Sequence, residues 1–222
     1  MSSRTEPQSA QAPTLAQERA LWQQGYRCIA GIDEAGRGAW AGPVVAAAVI
    51  LPAEQPCLAA ALAPVRDSKL LSPRQRARCY DLVLEHALAW GAGAVPAAEI
   101  DRIGIVPATR LAMRAALAGL CIAPTYLLID ALALDGVALP QRAIIKGDRC
   151  CLSIAAASII AKVTRDRLMR ELDAAMPGYA LAQHKGYGTA KHRAALARLG
   201  SSPLHRHSYA PVALQDAADG YA

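Results

Sequence analysis

At 222 residues, with 54% hydrophobic residues and a formal net charge of +6, the chain is long enough for one domain with a substantial core. The longest stretch without a charged residue, residues 38–53, contains Pro43 and Pro52 and is too short to span a bilayer. The polar N-terminus lacks the apolar segment of a secretory signal. We therefore expect no membrane partner and a cytoplasmic location. Six cysteines without CxxC spacing predict reduced thiols and exclude the usual structural zinc pattern.

The N-terminal part of the chain divides into a tail and the start of a domain. The first 25 residues are predicted to be a tail, disordered in part, with a short helix over residues 15–22. A single domain is expected at residues 26–222. Apolar runs at residues 26–32 and 44–51 predict its first two strands, joined as a hairpin. These runs place a charged loop between two buried strands.

Beyond residue 65 the pattern alternates between helices and strands. Ser72 is placed to cap a helix that Pro73 opens, and Ser153 is expected to cap a long helix. Strands are predicted at residues 89–95, 126–129 and 141–145, and helices at residues 73–86, 96–103, 154–176 and 191–199 and from residue 107. The segment after Pro203 is predicted to be irregular. Strands that alternate with helices indicate a layered α/β domain.

Acidic side chains follow several of the predicted strands. Asp33 and Glu34 come directly after the first strand, Asp130 ends a later one, and Asp148 follows the last. Strand-end carboxylates from separate strands can converge at one edge of a sheet, where they repel each other unless a cation lies between them. Hard divalent cations such as Mg²⁺ prefer oxygen ligands, and two such ions can activate a water and stabilise a leaving oxygen. The pattern favours a metal centre, although each Asp taken alone is as typical of a turn or a helix cap.

Asp166 lies on the long predicted helix among basic residues. Its neighbours are Lys162, Arg165 and Arg167. Two interpretations stay open: a surface ion pair of small energetic consequence, or an acid that reaches the cluster from the helix.

The last third of the chain is basic. No acidic residue occurs between Asp173 and Asp216. That interval contains Lys185, Lys191, Arg193, Arg198 and Arg206, with His184, His192, His205 and His207 close by. Such a run predicts a surface for a polyanion, or alternatively a solvated helix face. We expect the histidines to contact phosphate or solvent rather than to act as general bases.

Six segments of the sequence resemble, in order, the type 2 ribonuclease H family, ribonuclease HII. The first is GIDEAGRG at residues 31–38 with AGPVV at residues 41–45. The others are DSK at 67–69, IKGD at 145–148, SIAAASI at 153–159, AKVTRD at 161–166 and HKGYGT at 184–189. The chain departs from the family at residues 131–132, where Ala-Leu replaces the common Gly-Asn. The tail and the last dozen residues lie outside the resemblance.

The resemblance implies an RNase H-like fold, a mixed sheet flanked by helices with a helical C-terminal extension. It implies a monomeric endonuclease that hydrolyses the RNA strand of RNA–DNA hybrids. It also implies cutting 5′ of ribonucleotides embedded in duplex DNA, with two Mg²⁺ or Mn²⁺ ions bound together with the substrate. The ends produced would be a 3′-OH and a 5′-phosphate.

The resemblance also assigns individual residues. The catalytic metal ligands would be Asp33, Glu34, Asp130 and Asp148, with Asp166 as a further acid near the site. Gly36, Arg37 and Gly38 would sense the ribose 2′-OH, the group that distinguishes RNA from DNA. Tyr187 would pack on the adjoining deoxyribose, and Lys69 and Lys146 would contact the substrate, Lys69 through a phosphate.

Two other hypotheses stay open at this point. One is a non-catalytic module that binds hybrids, and metal-dependent turnover distinguishes it from an enzyme. The other is a metal-dependent phosphatase or nuclease without an RNA requirement, and cleavage of an all-DNA duplex distinguishes it.

Overall fold

A computed structural model describes residues 12–53, 55–218 and 220. The chain folds around a five-stranded sheet with the strand order β3-β2-β1-β4-β5. The strands are β1 Ile29–Ala35, β2 Val44–Ile50, β3 Ala89–Val95, β4 Tyr126–Asp130 and β5 Gln141–Ile144. Strand β2 is antiparallel to β1 and β3, whereas β4 is parallel to β1 and β5. The predicted hairpin and the mixed sheet are confirmed.

Helices cover both faces of the sheet. They are α1 Ala16–Gln23, α2 Leu58–Ala61, α3 Pro73–His86, α4 Ala97–Ile103, α5 Ile105–Ala118, α6 Leu152–Ala175, α7 Leu181–His184, α8 Ala190–Leu199 and α9 Ala210–Ala218. Short 3₁₀ turns lie at Ser68–Leu70 and Gly147–Arg149. Helix α6 packs on β1 and β2 from one side, and α5 packs on β2 and β3 from the other. The layered α/β prediction and the helical C-terminal extension are confirmed.

Small residues allow these layers to approach closely. Strand β2 is alanine-rich and buried on both faces. In β1, a Cβ added to Gly31 would lie 2.2 Å from the backbone carbon of Ser153. Only glycine permits that approach, so Gly31 fixes the start of α6 against β1. The contact places the beginning of the long helix next to the carboxyl end of the central strand.

Three predicted boundaries are wrong. Strand β1 continues to Ala35, because the segment from Asp33 onward keeps its pairing with β2. The N-cap of α6 is Cys151, and Ser153 lies inside the helix. The segment predicted to be irregular after Pro203 contains α9, which is held by the buried Val212.

The N-terminal segment packs on the domain. Helix α1 was predicted, and Leu15 and Leu21 bury its apolar side. Thr14 forms an isolated bridge with Cys151. The disorder predicted for the start of the tail falls on residues 1–11, which lie outside the described residues. Across the described ranges, no helix is long and apolar enough to cross a membrane. All six cysteines are free thiols, as predicted.

Candidate active site

Four acidic side chains lie within electrostatic range of one another at one edge of the sheet. Asp33 and Glu34 lie in β1, and Asp130 ends β4, the parallel neighbour of β1. Asp148 lies in the Gly147–Arg149 turn, which leads from β5 into α6. Asp33 and Asp148 are each only 4% exposed. The structure therefore brings together the four acids that the sequence singled out.

Burial and mutual repulsion raise the pKa values of three of these acids, Asp33, Glu34 and Asp148. Burial raises the pKa of Asp33 well above its usual range, and the charges of Glu34, Asp130 and Asp148 raise it further. Burial likewise raises the pKa of Asp148 to about 6, with a contribution from Asp67. Such shifts mark negative charge that the protein itself leaves uncompensated.

Glu34 is affected by the same burial and by the charge of Asp130. Burial raises its pKa, although the Arg37 guanidinium, whose Nη1 donates to Glu34 Oε1 at 3.3 Å, opposes the shift. The second oxygen, Glu34 Oε2, is buried without a hydrogen-bond partner. An orphaned carboxylate oxygen in a buried site is a donor atom that a cation would satisfy.

The donor set fits a hard divalent cation. Within residues 12–53, 55–218 and 220, no three His, Cys, Asp or Glu side chains are close enough to form a ready-made ligand set. Mg²⁺ is usually bound through one or two carboxylates, with water and substrate phosphate completing its shell. Asp130 is oriented for such a role, because the Gly147 N–H donates to its Oδ1 at 2.7 Å. The carboxylates at this edge would therefore supply one or two ligands at a time, and water and substrate phosphate would complete the shell of the ion.

Lys69 stands at the rim of this edge. Its Nζ lies 4.0 Å from Asp148 Oδ2, and its side chain is 76% exposed. Burial works against its charge, but neighbouring carboxylates, Asp67 first among them, raise the pKa of Lys69 overall. Asp67 is buried, accepts from the Lys69 N–H at 3.0 Å and pairs with Arg149 Nε at 3.5 Å. The sequence pattern predicts no role for Asp67 or Arg149, although Asp67 begins the Asp67-Ser68-Lys69 segment that resembles the family. Lys146 is exposed and opens the turn that carries Asp148.

The Gly-Arg-Gly turn follows β1 directly. Gly36 has a φ of +94°, and a Cβ on it would lie 1.9 Å from Arg165 Nε. Gly38, by contrast, has nothing within 4 Å of an added Cβ. The first glycine is therefore needed for the turn itself, and the second leaves the backbone open to an approaching molecule.

Two buried arginines, Arg165 and Arg206, support this turn and the segment that follows it. Arg165 donates to the carbonyl oxygens of Pro43 at 2.8 Å and Lys185 at 2.9 Å. Arg206 donates to the carbonyl oxygens of Gly42 and Arg37, at 2.9 Å and 2.8 Å. Burial lowers the pKa of Arg165 to about 10. These contacts join segments far apart in sequence, so the pattern of charges alone gave no signal for them.

Tyr187 lies beside the same support. Its ring centroid is 5.4 Å from the Arg165 guanidinium carbon and 5.8 Å from Lys162 Nζ. The ring is 36% exposed. Gly36 and Tyr187 both lie against Arg165. The predicted sensing turn and the predicted stacking ring therefore pack against the same buried arginine.

The basic C-terminal third is only partly a surface. Arg206 is fully buried, so its assignment to a polyanion surface is wrong. The histidine prediction is also wrong for His184, His192 and His205, which are buried. His192 Nε2 and His205 Nε2 are 3.1 Å apart, and burial lowers the pKa of His205 to about 4. The three rings pack in the interior, whereas His207 is exposed and pairs with Asp216. The exposed cations of this region are Lys191, Arg193 and Arg198.

Asp166 differs from the four clustered acids. Its carboxylate lies 2.6 Å from Lys162 Nζ and 3.4 Å from Arg76 Nη1. The side chain is 16% exposed. Of the two interpretations, the ion pair therefore describes the contacts of Asp166. Its carboxylate pairs with the Lys162 and Arg76 side chains.

The structure describes the environment of Ala131 and Leu132, the two residues at which the chain departs from the family. Ala131 takes a left-handed φ of 55°. Glycine adopts this conformation freely, and an alanine does so at a cost of about 1–2 kcal/mol. Leu132 packs against the buried core cluster under α5. The chain thus keeps the Asp130 carboxylate and has an apolar, core-packed side chain at residue 132.

The family model described as Ribonuclease HII matches residues 30–212. A curated relative from Roseiflexus castenholzii, named Ribonuclease HII, is 56% identical over 90% of this chain and 89% of its own length. The relative of the same name from Chloroflexus aurantiacus is 58% identical over 90% of this chain and 94% of its own length.

Solved structures show the same fold. The crystal structure of the ribonuclease H2 from Pyrococcus horikoshii OT3 is 24% identical, with a TM-score of 0.70 over 86% of this chain and 97% of that one. Bst-RNase HIII in complex with Mn²⁺ is 22% identical, with a TM-score of 0.67 over 90% of this chain and 72% of that one. With the family model and both curated relatives in agreement, the chain belongs to the ribonuclease HII family and is a ribonuclease H, an endonuclease for the RNA of RNA–DNA hybrids.

Proposed function

We propose that this ribonuclease H also cuts on the 5′ side of single ribonucleotides embedded in duplex DNA. It leaves a 3′-OH and a 5′-phosphate, uses two Mg²⁺ or Mn²⁺ ions, and works as a monomer in the cytoplasm. The observation that carries the proposal is the cluster of four acids, three of them with raised pKa values, beside a glycine turn that the buried Arg206 holds through the Arg37 carbonyl oxygen.

The four acids are proposed to hold the ions. Asp33 is the proposed shared ligand, because its charge interacts with those of Glu34, Asp130 and Asp148. When bound, divalent ions supply an activated water and stabilise the leaving oxygen of an in-line displacement. Asp130 keeps its orientation through the Gly147 N–H. Asp166 is proposed to act indirectly, by fixing Lys162 and Arg76.

The Gly-Arg-Gly turn is proposed to read the ribose 2′-OH. The open space around Gly38 lets a sugar approach the backbone, whose N–H and C=O groups are donors and acceptors for a hydroxyl. Arg37 stays close through its contact with Glu34 Oε1. Tyr187 is proposed to stack on the deoxyribose next to the ribonucleotide, which would place the junction across one rigid support.

Positive charge around the edge is proposed to bind the phosphates. Lys69 and Lys146 flank the acids and are exposed. Helix α8 adds Lys191, Arg193 and Arg198. Phosphate contacts of this kind weaken as salt rises, so binding should depend on ionic strength.

The deciding experiment uses a DNA duplex with one ribonucleotide. We expect a single cut 5′ of the ribonucleotide with Mg²⁺ or Mn²⁺ and no cut with a chelator. Analysis of the ends should give a 3′-OH and a 5′-phosphate. The matched control is the same duplex made entirely of DNA, which should stay intact.

The other results separate the alternatives. Cleavage of a long RNA–DNA hybrid without cleavage of the single-ribonucleotide duplex would contradict the sensing role of the turn. Cleavage of the all-DNA duplex would favour a nuclease without an RNA requirement. Tight binding of both RNA-containing substrates without any cleavage would favour a non-catalytic module.

Metal affinity is expected to depend on pH. The raised pKa of Asp148, about 6, means that the metal-free protein still holds a proton there in weak acid. That proton must leave before a cation binds, so affinity should fall as pH drops below about 6, by up to about tenfold per pH unit for each proton released. Titration calorimetry with Mn²⁺ between about pH 5 and about pH 8 measures this change. A dissociation constant that does not vary with pH would contradict it.

A further inference from the structure

Glu18 is a buried acid outside the range that the family model matches. It lies on α1, is only 1% exposed, and precedes the matched residues 30–212. Its Oε1 accepts from the Ser153 N–H at 2.8 Å and from Cys151 Sγ at 3.0 Å. Its second oxygen, Oε2, is buried without a hydrogen-bond partner among the described residues. A buried carboxylate that is satisfied at only one oxygen is costly, so its presence here calls for a specific role.

Glu18 supplies a missing cap to α6. That helix is 24 residues long, and its N-cap residue, Cys151, makes no side-chain capping hydrogen bond. The first N–H groups of a helix need acceptors, and the helix dipole favours negative charge at this end. The Glu18 carboxylate meets both needs from another helix, because it accepts from Ser153 in the first turn of α6.

The capped end of α6 is continuous with the turn that carries Asp148. The Cys151 N–H donates to the Gly147 carbonyl oxygen at 2.8 Å. On the other side, the Thr14 N–H donates to the Cys150 carbonyl oxygen at 3.2 Å. In return, the Leu152 N–H donates to the Thr14 carbonyl oxygen at 3.0 Å. The segment after Asp148 is thus clamped between α6 and the N-terminal segment.

We infer that Glu18 is a positioning residue of the metal centre: it fixes the start of α6 and, through it, the carboxylate of Asp148. The inference rests on the proposed function, in which Asp148 is a metal ligand. Groups that orient metal ligands without touching the metal commonly change metal affinity when they are replaced. Helix α1 is then part of the catalytic unit, which extends N-terminal of the predicted boundary at residue 25.

The experiment must distinguish a positioning role of Glu18 from a purely structural one. Helix α1 also buries Leu15 and Leu21, so loss of Glu18 could simply loosen the helix. A structural defect lowers the melting temperature. A positioning defect changes the affinity for the ion in the folded protein as well.

The experiment measures Mn²⁺ binding by calorimetry without substrate, together with the melting temperature and amide exchange at Ser153. For Glu18→Ala we expect binding weakened about 10- to 100-fold and faster exchange at Ser153. Glu18→Gln keeps one oxygen acceptor of the same shape, so we expect a smaller loss of binding. The control is Leu117→Ala on α5, across the sheet from α6, which should lower the melting temperature and leave the Mn²⁺ dissociation constant unchanged.

Different results bear on different claims. Parent-like Mn²⁺ binding by folded Glu18→Ala would overturn this inference and leave the metal centre standing. If Glu18→Ala does not fold, parent-like binding together with parent-like exchange in Glu18→Gln would overturn it. Absence of Mn²⁺ binding by the parent, both without substrate and with a non-cleavable RNA–DNA hybrid, would overturn the proposed metal centre, and this inference with it.

Discussion

Replacement of Asp33 by asparagine is expected to lower the cleavage rate by about 10³-fold or more while leaving hybrid binding largely intact. The side chain keeps its shape but loses the charge that interacts with three neighbouring acids. The proposed shared ligand would be lost, whereas the lysines and arginines proposed to bind phosphate are unchanged. Single-turnover cleavage and a separate binding titration measure the two effects.

The same variant should be more stable than the parent in chelator. A pKa raised by folding means that the charged carboxylate is disfavoured in the folded state, so a neutral side chain relieves that cost. The parent should gain stability from added Mn²⁺, and Asp33→Asn should gain little.

Asp135→Asn provides the matched chemical control, since Asp135 is a surface acid paired with Arg110. It should cleave like the parent. Equal cleavage by Asp33→Asn and the parent would contradict the two-ion assignment.

Alanine at Gly36 and alanine at Gly38 are expected to act differently although both add one methyl group. Gly36→Ala forces a residue with a Cβ into a φ of +94° and against Arg165, so we expect a loss of about 1–3 kcal/mol in unfolding free energy. Gly38→Ala meets open space, so its stability should match that of the parent within about 0.5 kcal/mol. Thermal or denaturant unfolding measures this difference.

Activity completes the comparison. If the substrate sugar approaches the backbone at Gly38, its alanine variant should lose about 10²-fold in cleavage of the single-ribonucleotide duplex despite normal stability. Unchanged cleavage by Gly38→Ala would mean that the sugar does not reach this part of the turn. Unchanged stability of Gly36→Ala would mean that the turn adapts to a Cβ.

The sequence alone predicts the features whose signals lie within a short segment of the chain. The acids were found because each follows an apolar strand, and strand ends in a layered fold meet at one edge. The start of α3 was found because Ser72 and Pro73 carry a helix signal within a few residues, and the structure adds a capping box with Gln75.

The sequence alone does not predict which charged or polar side chains are buried in the interior. Arg206 and His205 read as parts of a basic surface, and Arg165 as a basic neighbour of Asp166, because charged residues are usually exposed. Each is buried by partners that are distant in the chain, such as the Pro43 and Gly42 carbonyl oxygens. The same reason hid Glu18, whose acceptor role depends on Ser153, a residue more than a hundred positions away.

The alanine-rich strand β2 has a consequence for how sequences of this fold can change. Its side chains alternate between two helices: Ala47 faces the alanines of α6, and Ala46 and Ala48 face those of α5. Methyl groups thus set the thickness of the molecule at its centre. A larger side chain at any of these positions would lift one helix away, and with α6 it would move Arg165 from under the turn. A larger side chain in β2 must therefore be accompanied by a smaller side chain in the helix that faces it. The centre of the molecule accepts such paired substitutions but not an increase in total side-chain volume.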